Sequence, residues 1–153
     1  MRVSLSSEDL TWAASVGAAR HISAIKRGLK DKHGMMSDVA WQVHIEGACG
    51  ELAAAKALGV PWSATVDTFK HGDDVPGGWQ IRTRSRPEYE LIVRPGDPDD
   101  ALFLLVLGVA PHYTVKGWIT GREAKRKEWS RAHGNRPPAY FVPHDHLTPL
   151  AAG

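Results

Sequence analysis

Residues 101–110 read ALFLLVLGVA, a run with no charged and no polar side chain. Apolar residues fall on both parities from Ala101 to Leu107, whereas a strand with one wet face would alternate. The run is far shorter than the ~20 residues of a membrane-spanning helix. It therefore predicts a central β-strand buried on both faces, with other structure packed above and below it. Gly96-Asp97-Pro98-Asp99-Asp100 is a solvated turn that joins this strand to an earlier one, YELIVRP.

Working outward, further short β-rich runs are SATVDTF, GGWQIRTR and YTVKGWIT, and AYFVP is the last. Before them the texture is helical. Ser6-Ser7-Glu8-Asp9 has the hydroxyl and acids of a helix start, and Leu10, Ala13, Ala14, Val16, Ala18, Ile22 and Ile25 follow a helical period toward Gly28. A second helix starts at Ser37-Asp38 and stops at Gly59 with Pro61 beyond it. GREAKRKEWSRA after Gly121 reads as a short basic helix, and HDHLTPLAAG as a tail. The reading is a single α/β (α+β) domain over residues 1–153 with a mixed central sheet flanked by helices. Its parts are an N-terminal helix segment 1–34, a helix 37–59, a sheet-and-basic-helix region 63–143 and a tail 144–153.

The chain has 153 residues, 42% hydrophobic and 24% charged, enough for one domain with a real core. Its net charge of +2 excludes an overwhelming basic field, but the cations cluster. Arg82, Arg84, Arg86 and Arg94 form one group; Arg122, Lys125, Arg126, Lys127, Arg131 and Arg136 form another. The one cysteine, Cys49, cannot form an internal disulfide, and no finger spacing exists. MRVSLSSEDL lacks the apolar stretch of a secretory signal, so a soluble, cytoplasmic protein with no membrane partner is expected. The six tryptophans read as core and sheet packing, with Trp118 and Trp129 expected to be partly exposed.

Two places carry chemistry. Glu51 sits among Gly47, Ala48, Cys49, Gly50 and Ala53 to Ala55, so its carboxylate needs a positive partner if it is buried. An ion pair with a core-facing arginine would satisfy it; so would a metal. His44 shares its helix face two turns earlier, and Glu46 lies nearer the solvated side. The second place is Asp73-Asp74-Val75-Pro76-Gly77-Gly78 followed by Trp79-Gln80-Ile81-Arg82-Thr83-Arg84. Strand alternation sets Trp79, Ile81 and Thr83 on one face, and Gln80, Arg82 and Arg84 on the other. Guanidiniums just after an acidic turn suit a bound anion or a metal–phosphate unit, and an amphipathic edge strand has the same pattern.

The helix motif G-x-x-G-E-x-A-x-x-x-x-L-G, a following acidic Gly-Gly turn and a strand bearing acid-x-Lys resemble the PD-(D/E)XK nuclease superfamily. Here the matching residues are Gly47 to Glu51, then Asp74, then Gln80-Ile81-Arg82. The resemblance runs from about His44 onward and includes GWITGREAKRKEW and AYFVPHDHLTPL, which look like small phage-encoded members. It implies a restriction-endonuclease-like core and a Mg²⁺ (or Mn²⁺) ion held by Glu51, Asp74 and Gln80. Arg82 would then act on the phosphate, the substrate would be DNA, the location the host cytoplasm, and a homodimer is open. Gln80 departs from the family's acid and lowers the charge of the site; Arg82 departs from its lysine and cannot act as a base. Asp67, Asp73 or Glu46 could supply the missing carboxylate. Arg84, Arg122, Lys125 and Arg126 would bind the nucleic-acid backbone, and a solvated basic helix is the plainer account of the last three. His144 and His146 lack a third ligand and read as tail residues. The expected function is metal-dependent hydrolysis of DNA phosphodiesters, the alternative an inactive nuclease-fold module that binds nucleic acid or a protein. A third reading is a basic structural or virion-associated domain.

Overall fold

Leu102–Val109, the strand β4 of this structure, lies inside a mixed sheet and is buried along most of its length. The structure is a computed structural model and describes residues 1–28, 39–66 and 72–151. The chain is α+β. In order it forms β1 (Arg2–Ser4), α1 (Ser7–Lys26), α2 (Ala40–Leu58), β2 (Trp79–Arg84), β3 (Leu91–Val93), β4, β5 (His112–Thr120), α3 (Gly121–Ala124), β6 (Ser130–Arg131) and β7 (Ala139–Val142). The larger sheet has the order β1-β5-β4-β2, in which β2 and β4 are parallel and the other pairs antiparallel. A second, antiparallel sheet has the order β3-β7-β6.

β4 divides its side chains between two cores by parity. Leu104 and Val106 join Ala48, Leu52 and Ala55 of α2 on the helix side. Phe103, Leu105 and Leu107 join Leu91 and Val93 of β3 and Val142 of β7 on the other side. Helices thus cover one face of the larger sheet, and the smaller sheet covers the other. At ~25 cal/mol per Å² of apolar surface, two such faces are the main stabilising term.

The small residues of α2 let it lie between α1 and the sheet. Ala48 to Ala55 are all buried, including Glu51. A Cβ at Gly17 of α1 would stand 2.5 Å from Ile45 Cα, and one at Gly50 would stand 1.9 Å from Thr83 Oγ1 of β2. Only glycine permits these two approaches. At the N-terminus of α1, Ser6 Oγ accepts from Asp9 N–H and Asp9 returns the bond to Ser6 N–H, the expected capping box. Gly59, at φ 70°, ends α2.

Several expectations are corrected. α1 stops at Lys26 with Gly28 after it, so the 1–34 segment is helix only to there among its described residues. The Ser37-Asp38 start lies outside the described residues. SATVDTF forms no strand over residues 63–66, and residues 67–69 lie outside the described set. Trp62 is buried edge-on against Trp12, and Thr65 O accepts from Arg20 Nε, so this segment is tied to the helices. β1 was not anticipated; three residues give too short an alternation to read.

The basic helix is also corrected. It lasts four residues, because Lys125 leaves helical geometry and its Nζ turns back to Asp97 O and Asp99 Oδ1. Trp129, expected to be partly exposed, is buried in the second core, and Ser130–Arg131 then pairs with β7. Packing overrides a helix too short to stand alone. The tail packs too: Leu147 is buried, and Thr148 bonds to Trp118 on β5. Among the described residues, no helix is long and apolar enough to cross a membrane.

Candidate functional site

The turn before β2 carries Asp74 to its place. Asp73 Oδ2 accepts from Gly78 N–H at 2.8 Å, while Gly77 and Gly78 take positive φ that a side chain would resist. Asp74 N–H donates to Trp79 O, which folds the turn back on the strand. Asp74 Oδ2 then accepts from Ile81 N–H at 2.8 Å. The bend that the Gly-Gly pair allows is thus what sets a carboxylate beside the first residues of β2.

Glu51 arrives from α2, and the two acids lie close enough to feel each other. Burial first, and the charge of Glu51 second, push Asp74 up to about 6, against the Ile81 N–H and the nearby guanidiniums of Arg82 and Arg20. Glu51 itself is held by α1. Arg20 Nη1 donates to Glu51 Oε2 at 2.7 Å and Nη2 to Oε1 at 2.9 Å, a two-pronged pair, and Trp62 Nε1 donates to Oε1 at 3.2 Å. The arginine pair named as one answer for Glu51 is therefore the one found. Arg20 was missed as its partner, although a signal existed: it follows Ala13, Val16 and Gly17 on the buried stripe of α1.

Gln80, Arg82 and Arg84 do share a face, but it is the face turned to the second core, opposite Ile81 and Thr83, which meet α2. Gln80 Nε2 reaches Gly72 O at 3.3 Å. Arg82 lies 4.9 Å over the Phe103 ring and pairs with Asp97 at 3.0 Å. Arg84 lies 4.2 Å over the Tyr89 ring and donates to Glu90 O, and burial pulls its guanidinium below the ordinary value. The solvated basic edge face is thus corrected: β2 is an edge strand, yet its cations are packed on aromatics.

The remaining candidates separate. Glu46 accepts from Gln42 Nε2, and the ring of His44 is 5.2 Å from that of His21, itself against Trp41. Glu46, Glu51, Thr83 and Arg84 line a cavity of about 350 Å³ between α2 and β2. Asp73 is spent on the turn, and Asp67 lies outside the described residues. Lys125 is bound to the 97–99 turn, Arg126 lies 4.5 Å over Trp129, and Arg122 is exposed at the start of α3. These three are not on one basic helix. His144 bonds Tyr89 O, and His146 meets the Trp129 ring, so both belong to packing.

A divalent cation fits this arrangement poorly. Both oxygens of Glu51 are engaged, Gln80 faces away, and no group of three His, Cys, Asp or Glu that could hold a metal occurs among the described residues. Asp74 keeps one oxygen that no hydrogen bond from the described residues engages. Its raised proton affinity has a consequence for stability. Between pH ~4 and ~6 Asp74 holds more proton in the folded chain than in the unfolded chain, so its contribution to stability falls as pH rises through that window and stays at the lower level above it. Asp74→Asn keeps an acceptor for Ile81 N–H and removes the charge. It is expected to flatten that fall and to raise the unfolding free energy above pH 7 by about 1–3 kcal/mol. Urea unfolding at pH 5 and pH 8 measures this, and a variant weaker than the parent at pH 8 contradicts it. Comparison of the chain with protein-family models, with curated proteins and with solved structures gives no match.

Proposed function

We propose that this chain is a nucleic-acid-binding module that keeps the residue positions of a PD-(D/E)XK nuclease and has closed the acid site with its own arginine. The observation that carries this reading is Arg20, whose guanidinium engages both oxygens of Glu51, where the resemblance implies Mg²⁺. A guanidinium supplies positive charge there but no water made acidic by a metal, so binding survives where hydrolysis does not. Nucleic acid as the partner is supported by the way the two cationic segments meet. Arg131 of β6 pairs with Glu90 at 3.2 Å, and Arg84 of β2 donates to the carbonyl of the same residue.

A second reading, a metal-dependent DNA nuclease, is favoured by Asp74 standing beside Glu51. Two neighbouring carboxylates repel, and Mg²⁺ or Mn²⁺ competing with Arg20 would relieve them. One assay separates the two. Single-stranded, duplex and branched DNA are incubated with the protein and with Mg²⁺ or Mn²⁺, beside Asp74→Asn and Glu51→Gln. Retention in a gel without cleavage is the expected result. Cleavage that both substitutions abolish establishes the nuclease instead, and neither retention nor cleavage removes nucleic acid as the partner.

A further inference from the structure

The smaller sheet has an inner and an outer face. Leu91, Val93 and Val142 point into the second core. Alternation and register put Ile92, Phe141, Arg131 and Ala139 on the other side, since Ile92 pairs with Phe141 and Arg131 with Ala139. Over that outer face is a cavity of about 270 Å³ lined by the guanidiniums of Arg84, Arg94, Arg131 and Arg136, with the ring of His133 beside them. Glu90 pairs with Arg131, and its charge also bears on Arg84. Among the described residues, no carboxylate lies within ion-pair distance of the side chains of Arg94 or Arg136. The apolar part of the lining is a sheet floor with an aromatic on it. Arg131 lies 5.5 Å over the Phe141 ring, and the His133 ring meets it edge-on at 5.0 Å.

Several arginines facing one cavity, with one carboxylate paired among them, suit an anion with several oxygens, and the planar forks of arginine match phosphate. An aromatic on an open sheet face, next to guanidinium planes, is a stacking surface for a base that is not already stacked. At about 270 Å³ the cavity lies just below the roughly 300–1,000 Å³ of small-ligand sites, a size that suits a single nucleotide unit rather than a base pair. A duplex would meet the arginines and leave Phe141 unused.

We infer that the outer face of the β3-β7-β6 sheet binds single-stranded nucleic acid, with Arg94 and Arg136 on the phosphates and Phe141 under a base. This deepens the nucleic-acid reading proposed above and rests on it. It also moves the binding surface away from the Glu51–Asp74 site, with Arg84 lining both cavities. A free nucleoside monophosphate has the same chemistry, and the strand differs from it in having neighbouring phosphates to reach further cations.

The test is fluorescence anisotropy with a labelled oligothymidylate and with a duplex of equal length, over a salt series, with thymidine monophosphate as competitor. The protein is compared with the double variant R94A/R136A and with Phe141→Leu, each first shown to keep the parent's melting temperature. Arg136 is exposed, so Arg136→Ala alone serves if the double variant does not fold. The single strand is expected to bind more tightly than the duplex. The double variant should weaken it by about tenfold or more and lower the salt slope by about 1.4, as two lost phosphate contacts require. Phe141→Leu should weaken it about fivefold or more. Unchanged affinity in the variants overturns this site while nucleic-acid binding stands, and a preference for duplex overturns the single strand. Displacement by thymidine monophosphate at the strand's own concentration overturns the strand as the ligand. No binding of either DNA removes this inference and the reading beneath it together.

Discussion

Arg20→Met is expected to lower the unfolding free energy by about 3–5 kcal/mol, as losing one partner of a buried ion pair does. The side chains of Arg20 and Glu51 are 18% and 12% exposed, so solvent replaces little of what is lost. Glu51 would keep only the Trp62 N–H, with the Asp74 carboxylate still close. Much of the loss is thus the cost of a stranded negative charge, not the worth of the pair. Adding Glu51→Gln to Arg20→Met removes that charge and keeps an acceptor for Trp62, so the double variant should recover more than half. Urea unfolding of the parent, both single variants and the double variant closes a cycle that isolates the pair. A loss under about 1 kcal/mol for Arg20→Met would class it with exposed ion pairs and would weaken the case that it closes the acid site.

Phe103→Ala is expected to cost about 3–5 kcal/mol. Phe103 is fully buried and, among the described residues, is the largest of the completely enclosed side chains. It fills the space between the two sheets, from Leu91 and Val142 across to Gly121, where a Cβ would stand 3.1 Å from its ring. Sheets on either side restrict how far the walls can close on the void, which puts the cost toward the upper end. The same change takes away the ring beneath Arg82, whose remaining anchor is Asp97. Phe103→Leu should lose much less, because most of the volume stays. Equal losses for alanine and leucine would show that the arginine contact, and not the filled space, is what Phe103 provides.

The parts of the fold legible in the sequence are those that local pattern dictates. The two-sided apolar run gave away β4, the small residues and Gly59 defined α2, and the Asp-Asp-Val-Pro-Gly-Gly string announced a turn that delivers Asp74. Glu51 stood out because a lone carboxylate among alanines has to be answered. What answers it could not be read from spacing alone, since Arg20 is 31 residues away on another helix. The grouping of Gln80, Arg82 and Arg84 was legible, but the layer they face is decided by the second sheet, built from strands of three, two and four residues. Segments that short carry almost no periodic signal. The cationic run after Gly121 misled for the same reason: its spacing suits a helix, while Trp129 and β7 reward an extended chain. Arg94 is remote in sequence from Arg131, His133 and Arg136, and the pairing of β3, β6 and β7 is what brings it to them.

The parity of β4 has one more consequence. Because Leu104 and Val106 serve one core and Phe103, Leu105 and Leu107 the other, neither half of the molecule can melt and leave its neighbour whole. The two layers are obliged to behave as one cooperative unit, so heat and denaturant should report a single transition by every probe. The innermost β4 amides should exchange with solvent only when the entire chain opens, which makes that strand the gauge of global stability.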